Sequence, residues 1–335
     1  MRGLIIIAIA YLVVLPITAW TLLWRESPQK SLLNVSYDPT RELWQDINRR
    51  FRHTYERETG GNLVIKQSHG GSGSQARAVI DGLEADVVTL ALWSDTDAIC
   101  KKGFIAPGWE ERLPNRSLPY YSTIVFVVRQ GNPKQIRDWP DIVRPGVAII
   151  TPNPKTSGNG KLSLLAAWGS VVRSGGSDED AQRFVTELYR HTPVLDTGAR
   201  GAAMTFAQKG IGDVHLTWEN EARLEVAEAA GALEIVYPTR SIKAEPFVAV
   251  VDANVERKGT RDIAEKYLQF LYTAEGQEII ANHYYRPYND EILQRYPDFF
   301  GRIELFEVTT ITKSWDDAQK RFFADGGVFD RIYQK

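Results

Sequence analysis

The apolar positions from Leu32 onward switch between two periods. Short apolar runs bounded by Gly, Pro or charged clusters predict strands at Leu32 to Tyr37, Leu63 to Gln67, Asp86 to Leu92, Ser122 to Arg129, Val147 to Ile150, Leu233 to Tyr237 and Phe247 to Val251. Between them the spacing changes to that of a helix face. The first such stretch, Pro39 to Glu58, has Asp38 placed as a cap, Pro39 in the first turn and Gly60-Gly61 past its end. Further helices are predicted at Gln75 to Gly82, Lys161 to Arg173, Asp178 to His191, Ala199 to Lys209 and Asn220 to Ala230, and helices dominate after Thr260. Alternation of this kind predicts parallel α/β layers. With no fixed-period repeat, low-complexity tract or long linker, two α/β lobes joined by strand crossings are expected.

The N-terminus breaks the pattern. Leu4 to Trp24 is a run of 21 residues without a charge, between Arg2 and Arg25. That length can span a bilayer, and it also fits an export signal cut near Ala19, although Ile17 spoils the small-x-small spacing. Both readings expect the rest of the chain outside the cytoplasmic membrane. No cysteine lies in or just after the run, which excludes a lipid anchor through that residue.

Charge and cysteine content narrow the chemistry. Forty Lys+Arg against 42 Asp+Glu give a net charge of −2, which lacks the basic footprint of a protein that holds phosphate backbones. Cys100 stands alone, so there is no internal disulfide and no Cys-x-x-Cys. The five histidines show no His-Glu-x-x-His spacing, and no metal or cofactor is expected.

Three Gly/Ser loops each open a predicted helix: "SHGGSGSQARAV" from Ser68, "TPNPKTSGNGKLSLLAAWG" from Thr151 and "DTGARGAAMTFAQ" from Asp196. A helix N-terminus offers unpaired N–H groups and a positive dipole end, and small residues let an oxyanion come close. One such loop is an ordinary cap; three together point to an anion held by neutral donors. Gly160-Lys161 is not a P-loop, because Lys155 stands where the first Gly belongs and Leu162 follows the lysine. Ser72 has Ser74 where a nucleophile elbow needs its second Gly, so a serine hydrolase of sulfate or phosphate esters is the weaker alternative. His69 beside the first loop suits a supporting role. Trp218, in "HLTWEN", carries an indole N–H that can only donate, which suits a fully ionised anion. Trp93, Trp109, Trp139, Trp168 and Trp315 are read as packing residues.

The strings "LLNVSYDPTREL", "QSHGGSGSQA", "EADVVTLAL", "STIVFVVRQGNPKQIRDW", "PGVAIITPNPKTSGNGKLSLLAAWG", "VLDTGARG", "GIGDVHLTWENEA" and "EGQEIIANHYYRP" closely resemble the periplasmic sulfate/thiosulfate-binding proteins of ABC importers. The resemblance runs from about Leu32 to "FADGGVFDRI". It implies a two-lobed α/β periplasmic-binding-protein fold of type II, with the ligand cleft between the lobes and two chain crossings. The implied division is 1–29 as signal or anchor, 30–120 as the first part of lobe 1, 121–245 as lobe 2, and 246–335 as the second part of lobe 1 with the C-terminal helices. The implied function is capture of sulfate or thiosulfate by a monomeric, non-enzymatic receptor that delivers it to the importer's membrane subunits. A membrane-tethered sensor is a further alternative.

Matched residue by residue, the resemblance puts Ser72, Ser157, Gly158, Asn159, Ala199 and Trp218 on the ligand, with Asp38 and Lys161 in support. Two departures stand out. Lys161 occupies a position that usually carries Arg, which keeps the charge without the planar fork. "SGNG" replaces the more usual Ser-Gly-Gly, so a side chain at Asn159 must fit where glycine would leave the backbone free.

Overall fold

The computed structural model describes residues 29–333. The predicted N-terminal signal or anchor lies outside the described residues, and among those described no helix is long and apolar enough to cross a membrane.

The first sheet is built from β1 (Lys30–Tyr37), β2 (Leu63–Gly70), β3 (Val87–Leu90) and β9 (Phe247–Val250), in the order β2-β1-β3-β9. β1 pairs in parallel with β2 and β3, while β9 closes the edge antiparallel to β3. Successive side chains of a strand face opposite ways, and the cores follow. Val87 joins a cluster with α1 (Arg41–Thr59), whereas Val88 joins the one on the other face with α2 (Ser72–Ile80) and α3 (Trp93–Lys101). Buried Leu43, Trp44, Ile47, Phe51 and Tyr55 give α1 its apolar stripe, and Gly60 ends it in the left-handed region at φ 65°.

The second sheet centres on β4 (Tyr120–Arg129), the long strand that carries the chain across from the first. It pairs antiparallel with β6 (Val214–Trp218), β7 (Leu233–Val236) and β8 (Arg240–Ala244), while β5 (Ile149–Ile150) lies parallel to β6. The expectation of parallel layers therefore holds for β1–β3 but not here. β4 arrives from the other sheet and runs against β6, and hydrophobic patterning carries no strand direction. Ile124, Phe126 and Val128 face α4 (Gly158–Val172) and α5 (Asp178–Arg190), and Val125 and Val127 face α6 (Ala199–Ala203) and α7 (Glu219–Glu228).

The tail packs on this second core. Phe306, Val308, Phe322, Phe323 and Phe329 share a cluster with Leu164, Leu165 and Trp168, and Lys155 ties the tail down through Asp330 at 2.8 Å. Patterning missed β6, β8, α3 and the helix Asp252–Lys258, and it started α2 three residues late. Asp38 is not the cap of α1: Asp38–Thr40 forms a 3-10 turn and Thr40 takes the cap position.

Candidate functional site

The three Gly/Ser loops, separated in sequence, meet between the two sheets. An added Cβ on Gly71 would lie 2.5 Å from the Thr156 carbonyl oxygen, and one on Gly158 would lie 2.6 Å from Ala91 Cβ. The first and second loops are thus in backbone contact. Thr156 Oγ1 donates to Thr197 O at 2.8 Å, and Asn153 N–H donates to Asp196 O at 2.8 Å, joining the second loop to the third. A Cβ on Gly198 would come within 2.9 Å of Asp38 Oδ2, which closes the ring back to the end of β1.

Each loop delivers a helix start. Ser72 is the first residue of α2, Gly158 and Asn159 the first two of α4, and Ala199 the first of α6. N–H groups in a first turn have no intrahelical acceptor and point outward along the axis. All four residues are buried, at 1–3% exposure for Ser72, Asn159 and Ala199. Ser157 caps α4: its Oγ accepts from Gly160 N–H at 3.4 Å, which leaves the hydroxyl proton to give away, while its own N–H donates to Asn153 O at 2.9 Å. The expected donor at Ser157 is therefore the hydroxyl. Ser72 is the reverse, because its Oγ accepts from Ala91 N–H at 3.0 Å and donates to Asp95 Oδ2 at 2.6 Å. Its remaining donor is the backbone N–H. No histidine is among its partners, so the pairing a nucleophilic serine needs is not seen.

Asn159 fits without strain. It sits in the helix, with Nδ2 turned to Leu216 O at 3.4 Å and Oδ1 accepting from Ser163 Oγ at 3.4 Å. Its side chain points to β6, and the backbone keeps the helical form that Ser-Gly-Gly would give.

Trp218 ends β6 in register with Ile124 and caps α7 by position. It is fully buried, its ring centroid lies 5.4 Å from that of Tyr37 across the two sheets, and its Nε1 has no hydrogen-bond partner among the described residues. A buried donor without an acceptor costs about 1–3 kcal/mol. Such a group is retained where something else pairs with it.

Charges surround the loops at one remove. Lys161 Nζ lies 3.1 Å from Asp95 Oδ1, with both side chains at 7–8% exposure. Asp95 thus accepts from Lys161 and Ser72 at once, linking α4, α2 and α3. Patterning did not single out Asp95, because it predicted no helix over Trp93–Lys101 and so gave the acid no place beside the loops. Asp38 holds Arg41 at 2.8 Å through Oδ1. Further out, Arg200 on α6 reaches Glu42 on α1 at 2.5 Å, and Lys101 on α3 reaches Asp316 at 2.8 Å. His69 is not in the ring; it bonds Gln67 Oε1 at 2.8 Å, and burial pulls its pKa down.

Two predictions arise here. Gly158→Ala places a methyl against Ala91, where the two sheets' loops touch, so the contact must open. We expect affinity for an oxyanion held in this ring to fall by about tenfold or more, a 1.4 kcal/mol loss, with little change in the unfolding temperature of the unliganded protein. Titration calorimetry beside a thermal melt checks both. The second concerns Glu221, which burial pushes up to about 8 in spite of the Arg200 guanidinium. A raised carboxyl pKa favours the fold while the group is protonated in both states. That contribution is present below about pH 4.5 and is lost as pH rises towards 8. Glu221→Gln is expected to flatten this part of the stability profile, seen as a smaller fall in melting temperature between pH 6 and pH 8.5 than the parent shows.

Residues 41–286 match the family model for bacterial extracellular solute-binding proteins. The chain is 53% identical to the sulfate-binding protein of Escherichia coli K12, over 91% of this chain and 93% of the relative. It is 50% identical to the thiosulfate-binding protein of Pseudomonas aeruginosa, over 90% and 92% respectively. Among solved structures, the sulfate-binding protein SubI from Mycobacterium tuberculosis superposes with a TM-score of 0.80 at 29% identity, covering 88% of this chain and 99% of that one.

Proposed function

This chain belongs to the bacterial extracellular solute-binding protein family, and we propose that it captures sulfate between its two sheets and delivers it to an ABC importer. It is a receptor, without turnover of its own. The observation that carries the choice of ligand is the donor set: first-turn N–H groups of α2, α4 and α6, the Ser157 hydroxyl and the unpartnered indole N–H of Trp218. The N–H groups can only donate, and the Ser157 oxygen already accepts from Gly160 N–H, which leaves its proton for the ligand. Sulfate at neutral pH bears no proton and can accept from all of them, whereas hydrogen phosphate brings a proton that would be left unpaired. Thiosulfate shares the proton count, and relatives named for either anion are about equally similar to this chain.

On this reading Ser72, Ser157, Gly158, Asn159, Ala199 and Trp218 contact the anion. Asp38 and Lys161 order the loops, and Lys161 is neutralised by Asp95 so that no bare cation faces the ligand. The lobes take 30–120 with part of 246–335, and 121–245 with the C-terminal helices that pack on its core. The protein works as a monomer in the periplasm, directed there by the apolar N-terminal run. Neither the hydrolase nor the tethered sensor finds support among the relatives.

Titration of residues 31–335 with sulfate, thiosulfate, molybdate and phosphate at neutral pH tests the proposal. Binding of sulfate at micromolar or lower concentration with weak phosphate binding is expected. Binding of molybdate alone would keep the fold and replace the ligand, and silence with all four would overturn the reading.

A further inference from the structure

Beside α6 the second sheet carries a cavity that the anion ring does not use. It has a volume of about 480 Å³ and opens between two walls, Arg200 to Gln208 on one side and Glu221 to Ala229 on the other. Glu221, Glu225 and Glu228 all line it, at positions i, i+4 and i+7 of α7 and hence on one helix face. Glu225 and Glu228 fall in the last turn, where acids oppose the helix dipole. No basic residue occupies the last turn of α7 to offset them.

The two inner glutamates are incompletely satisfied. Glu221 is 4% exposed and Glu225 6%, and Oε1 of each is buried without a hydrogen-bond partner among the described residues. Glu221 Oε2 meets Arg200 Nε at 3.2 Å, an ion pair whose angle is not that of a hydrogen bond, and Arg200 is shared with Glu42. Glu225 Oε2 meets His215 Nδ1 at 2.9 Å. Glu228 stands exposed at the mouth. The remaining wall is aliphatic: Ala203, Ala207, Leu224 and Met204. Met204, at 49% one of two exposed large apolar side chains among the described residues, lines this cavity.

An aliphatic wall leading to two buried acceptors, with a third acid at the mouth, matches a cation on a hydrocarbon stem. We propose that the cavity receives a lysine or arginine side chain of the importer's membrane subunits and so forms a docking socket for the receptor. The proposal rests on the receptor reading above and adds a partner contact to it. The position suits that role. Arg200, at the inner end of the socket, is the residue that reaches Glu42 across the gap between the sheets, so a partner seated here lies beside the cleft from which the anion must leave. The entering cation satisfies Glu225 Oε1 and offsets the acids that stand against the dipole in the last turn of α7. A membrane subunit supplies it at low entropic cost, because the side chain arrives already fixed to a large body.

The test uses the importer's membrane and ATP-binding subunits from the same source, reconstituted in liposomes, with the full receptor chain loaded with sulfate. Glu228→Lys puts a cation at the mouth without touching the His215 pair, and Glu225→Gln removes the inner charge. Sulfate affinity by calorimetry is expected to stay within about twofold of the parent for Glu228→Lys, while half-stimulation of ATP hydrolysis needs about tenfold more receptor. Glu225→Gln should move in the same direction, and its sulfate titration confirms that it is folded. Parental stimulation curves for Glu228→Lys would overturn the socket. So would millimolar agmatine that binds the cavity yet leaves stimulation unchanged, since the site would then serve a free small cation. A parent that binds no sulfate fails the receptor reading first, and the two failures are distinguishable.

Discussion

Lys161→Met is expected to destabilise the unliganded protein by about 3–5 kcal/mol, the range for breaking a buried ion pair from one side. The lysine head and the Asp95 carboxylate are both almost wholly buried, 3.1 Å apart. Without the lysine, Asp95 keeps one hydroxyl, that of Ser72, against the full cost of a buried charge. The double variant Lys161→Met/Asp95→Asn should recover most of the loss, because neither charge then remains to be desolvated. Urea unfolding of the parent, both single variants and the double closes the cycle. A Lys161→Met cost of about 1 kcal/mol or less would class the pair with exposed salt bridges and end its supporting role. Sulfate affinity should fall with stability in Lys161→Met and not in the double variant. A lone Asp95 carboxylate beside the Ser72 loop repels a dianion, whereas its amide does not.

Much of this arrangement is legible in the sequence. Small-residue loops that open helices mark Ser72, Gly158 and Ala199 because the cap chemistry is local, and the structure puts each in the first turn of a helix. The apolar stripe of α1, which meets one core, and the apolar runs of strands covered on both faces are likewise local patterns. The partners of those residues are not local. Nothing in "SDTDA" distinguishes Asp95 from an ordinary helix-start acid until Ser72, 23 positions away, and Lys161, 66 positions away, are brought to it. β6 and β8 escaped because polar residues break up their apolar runs: His215 and Thr217 are buried beside Leu216 in β6, and Arg240, Ser241 and Lys243 surround Ile242 in β8. Such a strand reads as mixed polarity unless His215 is known to face Glu225. Strand direction in the second sheet is likewise set by where β4 comes from, which no window of residues contains.

Trp218→Phe is expected to weaken sulfate binding by about 10- to 100-fold, the loss of one charge-assisted hydrogen bond of about 1.5–3 kcal/mol. Phenylalanine keeps an aromatic ring against Tyr37 and removes the N–H, so the change isolates the donor. The unliganded protein supplies the control. There the indole N–H is buried without a partner among the described residues, and deleting an unsatisfied donor returns stability that offsets the cavity left by the smaller ring. Affinity and stability should therefore separate, with binding falling steeply while the urea midpoint of the unliganded protein moves little. A tryptophan that only packs would show the opposite pattern, a lower midpoint with sulfate affinity within about twofold. Ser157→Ala also removes a donor proton, but it deletes the cap of α4 with it, so there the urea midpoint of the unliganded protein falls together with affinity. Phosphate should stay weak in both variants. Its rejection comes from the proton it carries, and removing a donor creates no acceptor for that proton, so both anions lose the donor alike and the sulfate-to-phosphate ratio stays near that of the parent.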